Sequence, residues 1–150
     1  MSALTETWLI HNRINIYLLD AIDEEDLRDV LSSKGRNVGE QFAHINNVRL
    51  MWLKVANPAL LESLPKIEKE NIAKEALASA LNLSAAAIEQ VIEQSVDGKV
   101  KGFKPHTTAF LGYLISHESH HRGQIMLALK QSGHPVNQKV QYGIWEWGVR

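Results

Sequence analysis

The sequence predicts an all-α protein of four helices with a long crossover between the second and third. Apolar residues recur at three- and four-residue spacing in four separate stretches. No stretch of useful length alternates apolar with polar residues as a half-buried strand would, and glycine or proline punctuates most of the intervals. The chain has 150 residues and reads as one domain, residues 1–150. A chain of this size buries about 68–70% of its unfolded surface, so it needs neither disulfides nor a structural metal to fold.

The first helix is expected from about Glu6 to Ala21, with Trp8, Ile10, Ile14, Tyr17, Leu18 and Leu19 on one wide apolar face. The acidic run Asp23, Glu24, Glu25, Asp26 marks a polar stretch after it. A second helix begins near Asn37, beyond the breaker pair Gly35-Arg36. It runs through Phe42, Ile45, Val48, Met51, Trp52 and Val55 until Asn57-Pro58 stops it. The link from Pro58 to Asn71 then extends to roughly 46 Å at most, enough to travel the length of a bundle and start the third helix parallel to the second.

The third helix is rich in alanine, from about Ile72 to Val96, with Leu77, Leu81, Ile88, Val91 and Ile92 as its buried side and Asn71 as the expected N-cap. Its small side chains also suit close packing against a partner subunit. The fourth begins at an N-cap Thr107 after Pro105 and runs to Ser132, where Gly133 and Pro135 end it. It is roughly 39 Å long at 1.5 Å per residue. The tail, Val136 to Arg150, carries Tyr142, Ile144, Trp145 and Trp147 and is too apolar to be a free end, so it should fold back on the bundle.

Sixteen Lys and Arg against 17 Asp and Glu, scattered along the chain for a net charge of −1, argue against nucleic-acid binding. With no cysteine, the chain has no zinc-finger or iron–sulfur ligands and no thiol nucleophile of its own, so a thiol in any reaction must arrive with a substrate. No stretch approaches the roughly 18 apolar residues of a membrane span, and Met1 to Glu6 lacks a signal-peptide layout, which makes the cytoplasm the expected location.

The most informative stretch is Ile115-Ser116-His117-Glu118-Ser119-His120-His121-Arg122-Gly123-Gln124. His117 and His121, four apart on one helix, point from the same face about 5–6 Å apart at Cβ, a spacing that lets both reach one metal ion. They share the apolar stripe of Phe110, Leu114, Ile125 and Ala128 and should point into the bundle. His120, rotated about 100° from His121, ranks second. A third ligand must come from another helix, and His44 is the best candidate because its companions Val48, Met51 and Val55 are apolar. The pattern leaves open which way His11 faces, and His106 and His134 sit beside prolines. The competing reading makes all of these ordinary core histidines held by hydrogen bonds.

Together with Gly39-Glu40-Gln41-Phe42-Ala43-His44-Ile45 and the closing Tyr142-Gly143-Ile144-Trp145-Glu146-Trp147, the histidine run resembles the DinB/YfiT-like metal-binding four-helix bundle proteins over nearly the whole chain. The resemblance implies an up-down-down-up bundle, often a homodimer, with a divalent metal, usually nickel or zinc. By position its ligands would be His44, His117 and His121. It also implies a metal-dependent transferase that uses a low-molecular-weight thiol. A metal-dependent hydrolase is the competing catalytic reading, and a non-catalytic metal- or small-ligand-binding stress protein is a third. The site's second glutamate-plus-histidine set is missing for a di-iron bundle, so one metal is expected.

No general base is identifiable: Glu40, Glu93 and Glu118 are candidates, each expected to be a solvated surface carboxylate. Gly123 is expected to permit close helix packing. Gln124 is either a hydrogen-bonding group near the site or a buried amide. Trp145 and Trp147 are expected to plug the core.

Overall fold

In the computed structural model, residues 1–95 and 97–150 are described. Four long helices form the bundle: α1 (Ala3–Asp20), α2 (Val38–Ala56), α3 (Lys74–Glu93) and α4 (Thr107–Gln131), followed by a short α5 (Gln138–Gly143). There is no β-strand among the described residues. Local chemistry fixes most of the helix starts. Ser2 accepts from the Thr5 amide and starts α1 three residues earlier than the apolar pattern indicates. Asn37 and Glu40 form a reciprocal capping box on α2.

Two expected caps are replaced. Thr107 is the first helical residue of α4, its hydroxyl donating to Ser95 Oγ, while the His106 Nδ1 accepts from the Ala109 amide as the cap. Asn71 does not cap α3 either, because Lys69–Asn71 makes its own 3₁₀ turn. The first amide of α3, on Lys74, instead donates to the Glu24 carboxylate, a partner from the acidic run beyond α1. A carboxylate at a helix N-terminus also complements the helix dipole. At the other end α3 stops at Glu93, and the expected limit, Val96, lies outside the described residues.

The pairings between helices give their directions. Along α1 and α3 the partners run in opposite order: Thr5 with Glu93, the Trp8 indole N–H with the Ala85 carbonyl, Asn12 with Asn82, and the Lys74 ammonium with the Asp20 carbonyl. On α2 and α4 they also run oppositely, from Gln41 with His121 through Arg49 with Glu118 to Trp52 against Phe110. His11 meets Glu118 and Asn15 meets Arg122, so α1 and α4 run the same way. The order is therefore up, down, down, up. The crossover returns along α2, pinned where Asn47 exchanges hydrogen bonds with the backbone of Ile67.

The core divides into two apolar clusters. One contains Ile14, Leu18, Phe42, Leu77 and Ile125, and the other Trp8, Leu53, Ile88, Phe110 and Leu114. The alanines of α3 serve this packing, with Ala80, Ala85 and Ala87 buried inside the bundle. The tail folds back as expected through buried Val140 and Ile144, with Trp147 packed on the core. Trp145 departs from expectation: it is 75% exposed and plugs nothing. Gly123 departs too, because a Cβ there would meet no neighbour within 4 Å, so close packing is not what it provides. No helix among the described residues is long and apolar enough to cross a membrane.

Candidate metal centre

Because α2 and α4 lie side by side in opposite directions, His44 faces His117 and His121 across the seam. One ring nitrogen from each lies within 4.8 Å of the other two. The His44 ring centroid is 5.3 Å from that of His117 and 4.6 Å from that of His121, and the Nε2 atoms of His117 and His121 are 3.1 Å apart. His121 is buried, while His44 and His117 are half-buried, which leaves the trio on the edge of the bundle with a path to solvent. His120 is exposed, sits edge-on to His121 and does not join the trio.

The structure brings His44 beside His117 and His121, but not for the reason that the sequence suggested. Its companions are not core residues: Met51 is 51% exposed, Val55 is 44% exposed and Val48 is half-buried. The buried face of α2 instead runs through Phe42, Ile45, Arg49 and Leu53. His44 lies at the margin of that face, where α4 can reach it.

Gln41, one turn before His44, is the neighbour that the sequence did not single out. Its side-chain carbonyl accepts a 2.6 Å hydrogen bond from His121 Nδ1–H. That bond puts the proton on Nδ1 and leaves the Nε2 lone pair directed at His117. All three imidazoles are held below the ordinary histidine pKa. Burial is the first cause for each; the neighbouring imidazoles and the Arg36 guanidinium add to it, and His121 is brought to about 4. Neutral imidazoles with free nitrogens are the protonation state that metal ligation requires. The donor set therefore fits a single divalent ion: three nitrogens, no carboxylate, and two Nε2 atoms converging at 3.1 Å. Gln124 is half-buried beyond the trio, and the amide bonded to a site histidine is that of Gln41.

Of the candidate carboxylates, Glu93 is exposed as expected and Glu118 is the departure. Glu118 is not on the surface: it is fully buried, and its oxygens accept from Arg49 Nε at 2.8 Å, Arg49 Nη2 at 2.6 Å, Asn15 Nδ2 at 2.9 Å and His11 Nε2 at 3.1 Å. Against the burial that would raise it, the Arg49 guanidinium brings the Glu118 pKa down to about 2, so this group is an anchor and not a proton acceptor. Arg49 is also buried and spans the bundle, donating to Asn12, Ser84 and the Leu81 carbonyl and lying over the Trp8 ring. This polar layer lies between the two apolar clusters, and Glu118 ties the histidine-bearing turn of α4 to it. His11, left open by the sequence, is one of its members. Glu40 closes the α2 cap, and Glu93 is exposed and bonded to Ser2 and Thr5.

A second grouping, Asp26, Asp29 and His134, is a surface ion pair. His134 Nδ1 lies 2.7 Å from an Asp29 oxygen and 3.2 Å from an Asp26 oxygen, joining the turn after α4 to that after α1. Hydrogen bonding to Asp29 raises the His134 pKa.

Comparison with known proteins bears on what this arrangement is. The model of the DinB family matches residues 1–142, nearly the whole chain. The chain belongs to the DinB family. A solved structure of a DinB-like protein, YjoA from Bacillus subtilis, is similar in fold to this DinB-family chain. The TM-score is 0.65 at 19% sequence identity, covering 89% of this chain and 94% of that one. No curated protein matches the sequence.

Proposed function

We propose that this DinB-family protein holds one divalent metal ion, nickel or zinc, on His44, His117 and His121 and works as a transferase on a low-molecular-weight thiol. The observation that carries the metal reading is the convergence of three imidazole nitrogens within 4.8 Å, without a carboxylate among them. Imidazole suits either ion, and three neutral ligands leave a coordination position open, as catalytic centres do. When bound, such an ion supplies Lewis acidity that lowers the pKa of a coordinated thiol. The chain supplies the rest: Gln41 fixes the His121 tautomer, burial keeps the imidazoles unprotonated, and Glu118 with Arg49 holds the α4 turn in place. The thiol assignment rests on the family resemblance, and the lack of any cysteine in the chain is consistent with it.

Elemental analysis of the protein purified without chelators should find about one divalent ion per chain. His44→Ala, His117→Ala and His121→Ala should each lose most of it, and His120→Ala should keep it. Equal metal content in all four variants would overturn the site. With the metal found, turnover of 1-chloro-2,4-dinitrobenzene and related electrophiles should require an added thiol and vanish in His121→Ala. Turnover of ester substrates without thiol would replace the transferase by a hydrolase, and stoichiometric metal with neither activity would leave a metal-binding protein. Gln41→Leu should retain the fold and bind metal about 10- to 100-fold more weakly, the usual loss when a ligand's supporting hydrogen bond is removed; competition with a chromophoric chelator reads this directly.

A further inference from the structure

The face of α4 turned away from the histidines carries a second feature. Residues 115, 119, 122, 123 and 126 lie roughly 150° around the helix from His117 and His121. Between them and the returning C-terminal segment is a groove of about 560 Å³, within the size range of small-molecule sites. Its walls are Met126, Ile144, Trp145 and Trp147, Gly123 leaves its floor open, and one charged side chain enters it, Arg122.

Arg122 is only 9% exposed, yet its partners are neutral: Nη1 donates to Asn15 Oδ1 at 2.6 Å and Nη2 to Ser119 Oγ at 3.2 Å. The nearby Glu118 carboxylate bonds instead to Arg49, His11 and Asn15. With His11 held neutral by burial, the polar layer contains two arginines for one carboxylate. A buried guanidinium has five N–H donors and a strong preference for an anionic partner, and two protein acceptors leave that preference unmet. The one large aromatic side chain exposed beside it, Trp145, has no packing role in the bundle.

We infer that this groove is a second ligand site, separate from the histidine centre, that takes a small organic anion: a carboxylate on Arg122 with an aromatic or apolar body against Met126, Trp145 and Trp147. The open floor at Gly123 gives the body its room. The reading stands whether or not the histidines hold metal, since the two sites occupy opposite faces of α4.

The test uses 2-naphthoate and its neutral analogue 2-naphthalenemethanol, titrated calorimetrically and by tryptophan fluorescence into the full-length protein. Naphthoate should bind saturably, about tenfold or more tighter than the alcohol, the usual advantage of a charge-assisted pair. Gly123→Phe fills the groove from an exposed helical position that tolerates a side chain; it should abolish naphthoate binding while leaving the circular dichroism and the metal content unchanged. Arg122→Gln should bring the two ligands to equal affinity; should that variant fail to fold, Gly123→Phe alone decides. Equal affinity of the wild-type protein for both ligands, no binding of either, or naphthoate binding that survives Gly123→Phe would overturn the site. So would conversion of a dimer to a monomer by Gly123→Phe, which would make the occupant a second copy of the chain.

Discussion

Glu118→Ala should destabilise the protein by about 3–5 kcal/mol, the range expected when one partner of a buried ion pair is removed and the other stays behind uncompensated. Arg49 has no exposure and cannot turn to solvent, and its Nε and Nη2 would lose their acceptor together. Asn15 and His11 would lose theirs as well. For a chain of this size the loss corresponds to a fall in Tm on the order of 10 °C. Urea unfolding followed by circular dichroism measures it. The double variant Glu118→Leu, Arg49→Met should recover much of the loss, because apolar side chains of similar volume often replace a buried pair at little cost. A drop of less than about 1 kcal/mol in Glu118→Ala would show that the layer is not what joins the two apolar clusters.

The start of α2 was legible because Asn37 and Glu40 form a capping box within the helix's own first turn, whereas the cap of α3 was not, because its first amide goes to Glu24 from another part of the chain. Connection lengths permitted the up-down-down-up order without requiring it, and the family resemblance supplied it. At the site, the four-residue spacing of His117 and His121 was visible, because a helix sets that relation locally. His44 was reached through a stripe that proved to be exposed: Val48, Met51 and Val55 are apolar, but the stronger periodicity through Phe42, Ile45 and Leu53 claims the core.

That stronger stripe includes Arg49, and the buried stripe of α4 includes Glu118 between Leu114 and Ile125. A cation and an anion, each on the apolar face of its own helix, are a signal for a buried pair. Treating Glu118 as a surface carboxylate followed charge and ignored phase. Gln41 gave no comparable signal, since an amide at the start of a helix acquires meaning only when another helix brings a histidine to it.

The same layer makes the protein acid-sensitive in a defined order. In chelator-treated protein, stability should be greatest near pH 7 and should fall continuously towards pH 3. His11 is buried and held below the ordinary histidine pKa mainly by desolvation, and the trio of His44, His117 and His121 is shifted the same way. Such groups favour the folded state fully above the unfolded value near 6.5, and that contribution drains away as pH drops and the unfolded chain takes up protons the folded chain refuses. The lower limb belongs to Glu118: its carboxyl stands at about 2 against 4.5 for an unperturbed one. Its contribution, on the order of 3 kcal/mol, is present above about pH 5 and is lost between there and pH 2. His134 acts in the opposite sense, since its pKa is raised by Asp29, but it is exposed and solvent weakens it. Urea midpoints at pH 7, 5.5, 4 and 3 should therefore decline at every step. In Glu118→Gln the decline below pH 5 should be shallower by the share that Glu118 carries, while the decline that the imidazoles carry, down to the His121 value of about 4, should persist. Parallel curves for the two proteins below pH 5 would assign the acid limb to surface carboxylates and remove Glu118 from the account.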